Sequence, residues 1–232
     1  MSIRLLLILL LGCLLTLTSC GEEGGPTSAS QNLDGASLLG LTNNHTLRYL
    51  KTDTLVYIDS TYHFDITEDT VQFVITGSAN EWVIRAEDDR GLNIELDAQS
   101  VLLAGFRRIE DSVEVAYFFA NRPAKVHRAL TPGDSWTGYT PSFTTATGSL
   151  RLPLYFANFG FYFSRTYEGV ESISAATGDY AAHKYHSDLF LNQDDQSPVA
   201  LVDEHYAPNV GLVRLQFRGG GLVRTLSLIQ SF

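Results

Sequence analysis

His183 and His186 stand three residues apart. On a helix that spacing gathers two imidazoles into a pair that could hold zinc, whereas on a strand it sends them to opposite faces. The surrounding run, Tyr180 to Asn192, reads as strand, which predicts one exposed and one half-buried histidine. Asp203-Glu204-His205 puts three ligand types in a row, but strand neighbours alternate faces and no second ligand cluster accompanies them. Asp88-Asp89 and Asp194-Asp195 could offer oxygens to calcium. Neither has the alternating oxygen-ligand loop closed by a bidentate glutamate, so both read as solvated turns. No metal and no cofactor are implied.

The other chemistry to weigh is nucleophilic. Gly133-Asp134-Ser135 resembles the start of a Gly-Asp-Ser-Leu hydrolase motif, in which the serine attacks and a later Asp-x-x-His supplies the base. None of the six histidines has an aspartate three places before it, the fourth residue is Trp136, and no strand-to-helix elbow follows. A turn serine accounts for Ser135, and no nucleophile, base and orienting group can be placed together. The expectation is a protein without catalytic activity.

Aromatic residues crowd one segment: Tyr155, Phe156, Phe159, Phe161, Tyr162 and Phe163. In a single strand Phe159, Phe161 and Phe163 would share one face and Tyr162 would point the other way. Such a face could be plain core, since aromatics dominate ordinary cores. The functional reading makes Tyr155, Phe159, Phe161 and Phe163 an apolar concave surface for a lipid, an acyl chain or a hydrophobic peptide.

The elements that must position these residues are strands. Val213-Arg214-Leu215-Gln216-Phe217-Arg218 alternates apolar and polar side chains, Gly219-Gly220-Gly221 supplies a turn, and Leu222 to Ile229 returns, which reads as a terminal hairpin. Further strands are predicted at Leu55 to Ile66, Val71 to Thr76, Glu81 to Ala86, Leu92 to Leu96, Val101 to Phe106 and Val113 to Ala120. Others are predicted at Phe143 to Ala146, Leu150 to Asn158, Gly160 to Ser172, Tyr180 to Asn192 and Val199 to Tyr206. The short polar connections favour antiparallel meanders. Pro132-Gly133 fits the centre of a type II turn, where proline fixes a negative φ and glycine accepts a positive one. The pattern predicts an all-β domain: a curved antiparallel sheet, half-barrel or sandwich of about a dozen strands, with little helix.

Residues 1–19 read as a secretory signal, with Arg4 ahead of a short apolar run from Leu5 to Leu17. That run is shorter than the ~20 apolar residues a spanning helix needs. Leu17-Thr18-Ser19-Cys20 resembles the lipobox of bacterial lipoproteins, which implies cleavage before Cys20 and lipidation of its sulfur and amine. Several acyl chains on one residue hold a domain firmly at a membrane. Cys13 lies in the discarded segment, so the mature chain has no second cysteine for an intrachain disulfide. Residues 20–37, poor in apolar side chains, read as a flexible tether, and 38–232 as one domain. Without the signal, 15 basic residues face 26 acidic ones, a formal net of −11. That balance argues against a nucleic-acid partner and leaves the lipid as the membrane anchor.

Pro132-Gly133-Asp134-Ser135-Trp136, Thr177-Gly178-Asp179-Tyr180 and Tyr206-Ala207-Pro208-Asn209-Val210-Gly211-Leu212-Val213-Arg214 resemble stretches of uncharacterised β-rich envelope lipoproteins of Bacteroidota type. Those proteins are similar in outline to lipoprotein-carrier half-barrels. Glu22 and Glu23 are similar to the acidic export tag of surface lipoproteins in such bacteria, although a solvated spacer is the better account of two acidic residues in a linker. The resemblance implies an envelope lipoprotein, of the outer membrane on its periplasmic or surface face, and no established activity. Two functions follow as expectations. One is a non-catalytic binding or carrier module for a hydrophobic ligand; the other is a structural or protein-interaction lipoprotein. An open groove along Phe159 to Phe163 would favour the first, and a filled interior the second.

Overall fold

A computed structural model describes residues 31–57, 63–88, 90–110, 112–145, 148–150, 152–154 and 156–232. In chain order the strands are β1 (Gln31–Asn32), β2 (His45–Tyr57), β3 (His63–Ser78), β4 (Glu81–Ala86), β5 (Gly91–Leu96), β6 (Ser100–Glu110), β7 (Val113–Phe118), β8 (Ala124–His127), β9 (Ala129–Leu130) and β10 (Ser135–Thr140). They continue as β11 (Phe143–Thr145), β12 (Gly148–Leu150), β13 (Leu152–Leu154), β14 (Ala157–Phe159), β15 (Phe161–Ala175), β16 (Gly178–Phe190), β17 (Ala200–Ala207), β18 (Gly211–Gly219) and β19 (Leu222–Ser231). One helical turn, α1 (Gly35–Leu38), lies between β1 and β2. The chain is all-β, as its periodicity predicts.

Thirteen strands form a single antiparallel sheet, so of the expected architectures the curved sheet is realised and the two-sheet sandwich is not. Its order is β10-β15-β16-β17-β18-β19-β2-β3-β4-β5-β6-β7, with β8 also on β6. Two meanders therefore meet where β19 pairs β2, from Leu222↔Leu55 to Ser231↔Leu47. The sheet curls until its ends touch. Trp136 on β10 donates from Nε1 to the Ala124 carbonyl on β8 at 3.0 Å, and its ring meets His127 edge-on at 4.8 Å. The result is barrel-like, closed at that seam by side chains instead of a backbone ladder.

Turn chemistry fixes the register. Gly220 and Gly221 take φ of +58° and +76°, the paired positive values of a type I′ turn, and so bring Gly219 opposite Leu222. Asp134 N–H donates to the Thr131 carbonyl across Pro132-Gly133, with Gly133 at φ +99°, the expected type II geometry. At the β17–β18 turn Asn209 adopts φ +64°, and its N–H donates to the Ser37 carbonyl at 2.7 Å. The turn is thus the dock for α1.

Three expectations need correction. Gln31 to Ser37, assigned to the flexible tether, is tied to the domain: β1 pairs β9, Leu33 packs against the core, and Asp34 caps α1 by accepting from Ser37 N–H. Leu55 to Ile66, expected as one strand, is split between β2 and β3. Leu150 to Asn158 is likewise divided, among β12, β13 and β14. Cys20 and the rest of residues 1–30 lie outside the described residues.

Candidate functional site

The aromatic face expected from the sequence does not form as one strand face. Gly160 adopts φ +80° and donates its N–H to the Thr140 carbonyl, which ends β14 and starts β15. Phe159 and Phe161 therefore belong to different strands. Phe159 is fully buried, with Phe106 and Phe119 edge-on at 5.7 and 5.9 Å, and Phe161 is buried as well. Phe156 fills the centre of the curl, edge-on to Phe73 and Tyr49. Phe163 is half-buried, and Tyr155 lies outside the described residues. The aromatic segment is thus largely plug and core.

Two spaces remain beside that plug. One of about 20 Å³ lies between Phe73, Ile84, Phe106 and Phe156, and one of about 30 Å³ beside Phe156 and Arg165. Each admits one or two water-sized groups. A broader concavity of about 440 Å³ lies on the other face of β10, β15 and β16. Tyr139, Tyr162 and Phe190 sit in register across it, opposite in phase to Phe161, Phe163 and Arg165. The Tyr139 and Tyr162 rings are 4.6 Å apart.

The cavity beside Phe156 and Arg165 is walled by a cluster of charges that the sequence reading did not identify. Glu204 on β17 accepts at Oε1 from Lys125 Nζ and from the Tyr206 hydroxyl, both at 2.8 Å, while its Oε2 faces Arg165 Nη1 at 2.5 Å. Lys125 also donates to the Phe156 carbonyl at 2.6 Å, and Arg165 Nη1 donates to Ser187 Oγ at 2.9 Å. The side chains of Lys125, Arg165 and Glu204 are only 5%, 6% and 3% exposed. The Arg165 guanidinium stacks 4.9 Å from the Tyr185 ring centre and 6.0 Å from that of Trp136.

Two cations and one anion leave a net positive charge in the core. Burial alone would raise the Glu204 carboxyl, but the two cations and the bonds from Lys125 and Tyr206 outweigh it and hold the group at about 2. Burial, reinforced by the Arg165 charge and only partly offset by Glu204, brings Lys125 down to about 8. The two shifts are consistent, because the surplus charge is positive. Among the described residues, Arg165 Nε and Nη2 are buried with no hydrogen-bond partner.

The remaining candidates are structural. His183 and His186 lie on opposite faces of β16, as the strand spacing predicts: His183 is buried against the Tyr167 hydroxyl at 2.9 Å, while His186 is part-exposed and pairs with Asp203 at 2.7 Å. Burial lowers His183 below its ordinary value. Glu204 turns inward, whereas Asp203 also meets Arg218, and His205 meets Glu171 at 2.5 Å. Asp134 accepts from Thr131 N–H in its turn, Asp195 from Asn192 N–H, and Asp88 pairs with Arg90; Asp89 lies outside the described residues. Among the described residues no group of three metal-ligating side chains converges.

A last feature is the arm made by β2 and β3. Among the described residues, 64–70 are exposed and their backbone pairs with β2 alone, since β4 meets β3 only from Phe73 to Ser78. Phe64 and Ile66 are 59% and 65% exposed on one face of the arm.

No family profile matches the chain, and no curated protein matches it. Among solved structures it is similar to a β-barrel-like protein of a domain of unknown function, DUF1849, from Brucella abortus. That likeness has a TM-score of 0.41 and 10% identity, over 82% of this chain and 98% of that one. It is also similar to a candidate exported protein with a YmcC-like fold from Bacteroides fragilis, with a TM-score of 0.38 and 11% identity over 84% of this chain and 98% of that one. A candidate lipoprotein from Parabacteroides distasonis gives 0.34 and 12% over 84% and 98%.

Proposed function

We propose that the chain is a lipid-anchored envelope protein, held at the outer membrane through Cys20, that works by docking a protein partner along the free edge of β3. One observation carries this reading: residues 64–70 offer a long exposed strand paired, among the described residues, on one side only. Natural sheets blunt such edges, and an exposed one accepts an extended segment as an added strand. Phe64 and Ile66 supply apolar contact on one face, and Asp65 and Asp69 carry charge on the other. The matching partner is an extended segment with basic side chains. The same acidic residues disfavour an anionic lipid surface. The filled interior also counts against a barrel that swallows an acyl chain.

The test is site-specific photocrosslinking of the full chain in its host, with the probe at Ile66 and, as a control, at the exposed Val170 on β15. The expected result is one adduct at Ile66 that maps to an extended basic peptide and is absent at Val170. No adduct at Ile66, or equal adducts at both positions, overturns the reading. A second reading rests on the concavity at Tyr139, Tyr162 and Phe190, whose size is that of a small-ligand site. It keeps the hydrophobic-ligand function but moves it outside the sheet. Native mass spectrometry of the full chain, compared before and after denaturation, would then show a bound apolar species.

A further inference from the structure

The geometry points to a second interaction surface, independent of the β3 edge: two copies of this chain pair antiparallel along β7. That strand ends the large sheet and meets β6 on one side, and among the described residues no strand lies on its other side. Val113, Glu114, Ala116, Tyr117 and Phe118 are exposed, Val113 and Phe118 at 63% and 64%. Phe119 N–H donates to the Ala104 carbonyl at 2.9 Å, and the ladder runs in step from Gly105↔Phe118 to Glu110↔Val113. An antiparallel ladder alternates, so Val113, Val115 and Tyr117 turn their backbone groups toward β6, whereas Glu114, Ala116 and Phe118 turn theirs outward.

A twofold axis at Ala116 satisfies that alternation. Ala116 then faces Ala116 of the second copy, Glu114 faces Phe118 and Val115 faces Tyr117, so outward backbone groups meet outward ones and no like charges oppose each other. The one acid of β7, Glu114, is already neutralised by Arg107 Nη1 at 2.7 Å and by Arg85. The β3 edge differs in this respect, because Asp65, Glu68 and Asp69 would bring like charges together in a self-pair. Charge therefore sorts the occupants: a basic segment suits β3, and a second copy suits β7. A long, apolar, unpaired edge is a template for another chain, and a twofold contact closes at two copies. Anchoring both copies to one membrane raises their effective concentration, which favours pairing through a short seam.

Ala116→Cys in the full chain, in its host membrane, reports the register. Cα atoms of a hydrogen-bonded pair lie about 5.5 Å apart, within reach of a disulfide. Mild oxidation should give a linked dimer from Ala116→Cys and none from Ile66→Cys or Val170→Cys, which are exposed on β3 and β15. Affinity is read separately, by energy transfer between donor- and acceptor-labelled full chains, attached through Val170→Cys, in phosphatidylcholine vesicles at rising surface density. Ala116→Glu sets two carboxylates face to face at the axis and should raise the density for half-maximal transfer roughly fivefold or more. Ile66→Glu should leave that density unchanged. Equal dimer yields at the three cysteine positions would mean unselective clustering by the anchors and overturn the proposal. Absence of the Ala116→Cys dimer, or transfer that Ala116→Glu leaves intact, would overturn it as well.

Discussion

Replacing Glu204 by glutamine tests whether the buried charges are set as described. Glutamine keeps the shape of the side chain but removes the one negative charge that, among the described residues, pairs with Lys125 and Arg165, which are 5% and 6% exposed. Breaking a buried pair by removing one partner costs about 3–5 kcal/mol. At roughly 2–4 °C per kcal/mol for a domain of this size, the melting temperature should fall by roughly 6–20 °C. Acid supplies an independent measure. The folded carboxyl titrates at about 2 against an ordinary 4.5, so its stabilisation is complete above pH 4.5 and is lost as the pH falls through 2. A difference of that size corresponds to about 3 kcal/mol, in line with the mutational figure. Lys125 has the opposite sign. Folding lowers it from 10.5 to about 8, so its charge weighs against the folded state below pH 8, and that cost is relieved as the pH rises from 8 to 10.5. Urea unfolding of both proteins from pH 2 to 10 reads all three effects. The gap between wild type and Glu204→Gln should be widest at neutral pH and close toward pH 2. A gap under ~1 kcal/mol at pH 7, or one that persists unchanged at pH 2, would refute the cluster.

Three other outcomes are expected. Gly211→Ala should cost well over ~1 kcal/mol, because φ is +97° and the new Cβ would lie 2.6 Å from the Leu39 carbonyl oxygen; Gly133→Ala, at φ +99° with no atom within 4 Å, should cost only the ~1 kcal/mol of backbone strain. Thermal melts of the two variants rank them. Phe159→Ala should lose about 3–5 kcal/mol in urea unfolding, as a buried core aromatic does; a loss under ~1 kcal/mol would mean that Phe159 faces a groove. Cys20→Ala should release the protein from the membrane fraction, and continued association would sink the lipid anchor.

The strands were legible where alternation is clean. Glu81 to Ala86 matches β4 residue for residue, and Gly219-Gly220-Gly221 marks its hairpin because only glycine takes two successive positive φ values without strain. The reading failed where a β-rich run belongs to two successive strands with no glycine or proline in the sequence to mark the division, as with β2 and β3. It failed again where one positive φ cuts an aromatic run, at Gly160. Polar and turn-rich β10 was missed because Ser135 to Thr140 carries only Trp136 and Tyr139 as large apolar anchors. The charge cluster did leave a signal. Arg165 stands in phase with Phe161, Phe163 and Tyr167, and Glu204 with Val202 and Tyr206, so two charges occupy the inward phase of their strands. A charge there is buried and needs a partner. What one strand cannot reveal is that partner, because Lys125 reaches Glu204 across the curl from the far end of the sheet.

The curl also explains why apolar surface on this domain divides as it does. A half-barrel that carries lipid must keep its concave face open, and here Phe156 and Phe159 occupy that face while Trp136 draws the sheet ends together at Ala124. Opening the seam to admit a chain would break the Trp136 bond and expose Lys125, Arg165 and Glu204 beside the cargo, a poor lining for hydrocarbon. Apolar side chains that stay available lie elsewhere, among them those on the β3 arm and in the row from Tyr139 to Phe190. Both lie where β-sheet proteins meet partners from outside, an unpaired edge and a wet face. Docking at the β3 edge, as proposed, would leave the core charges paired, because the edge and the charge cluster lie on separate parts of the same sheet.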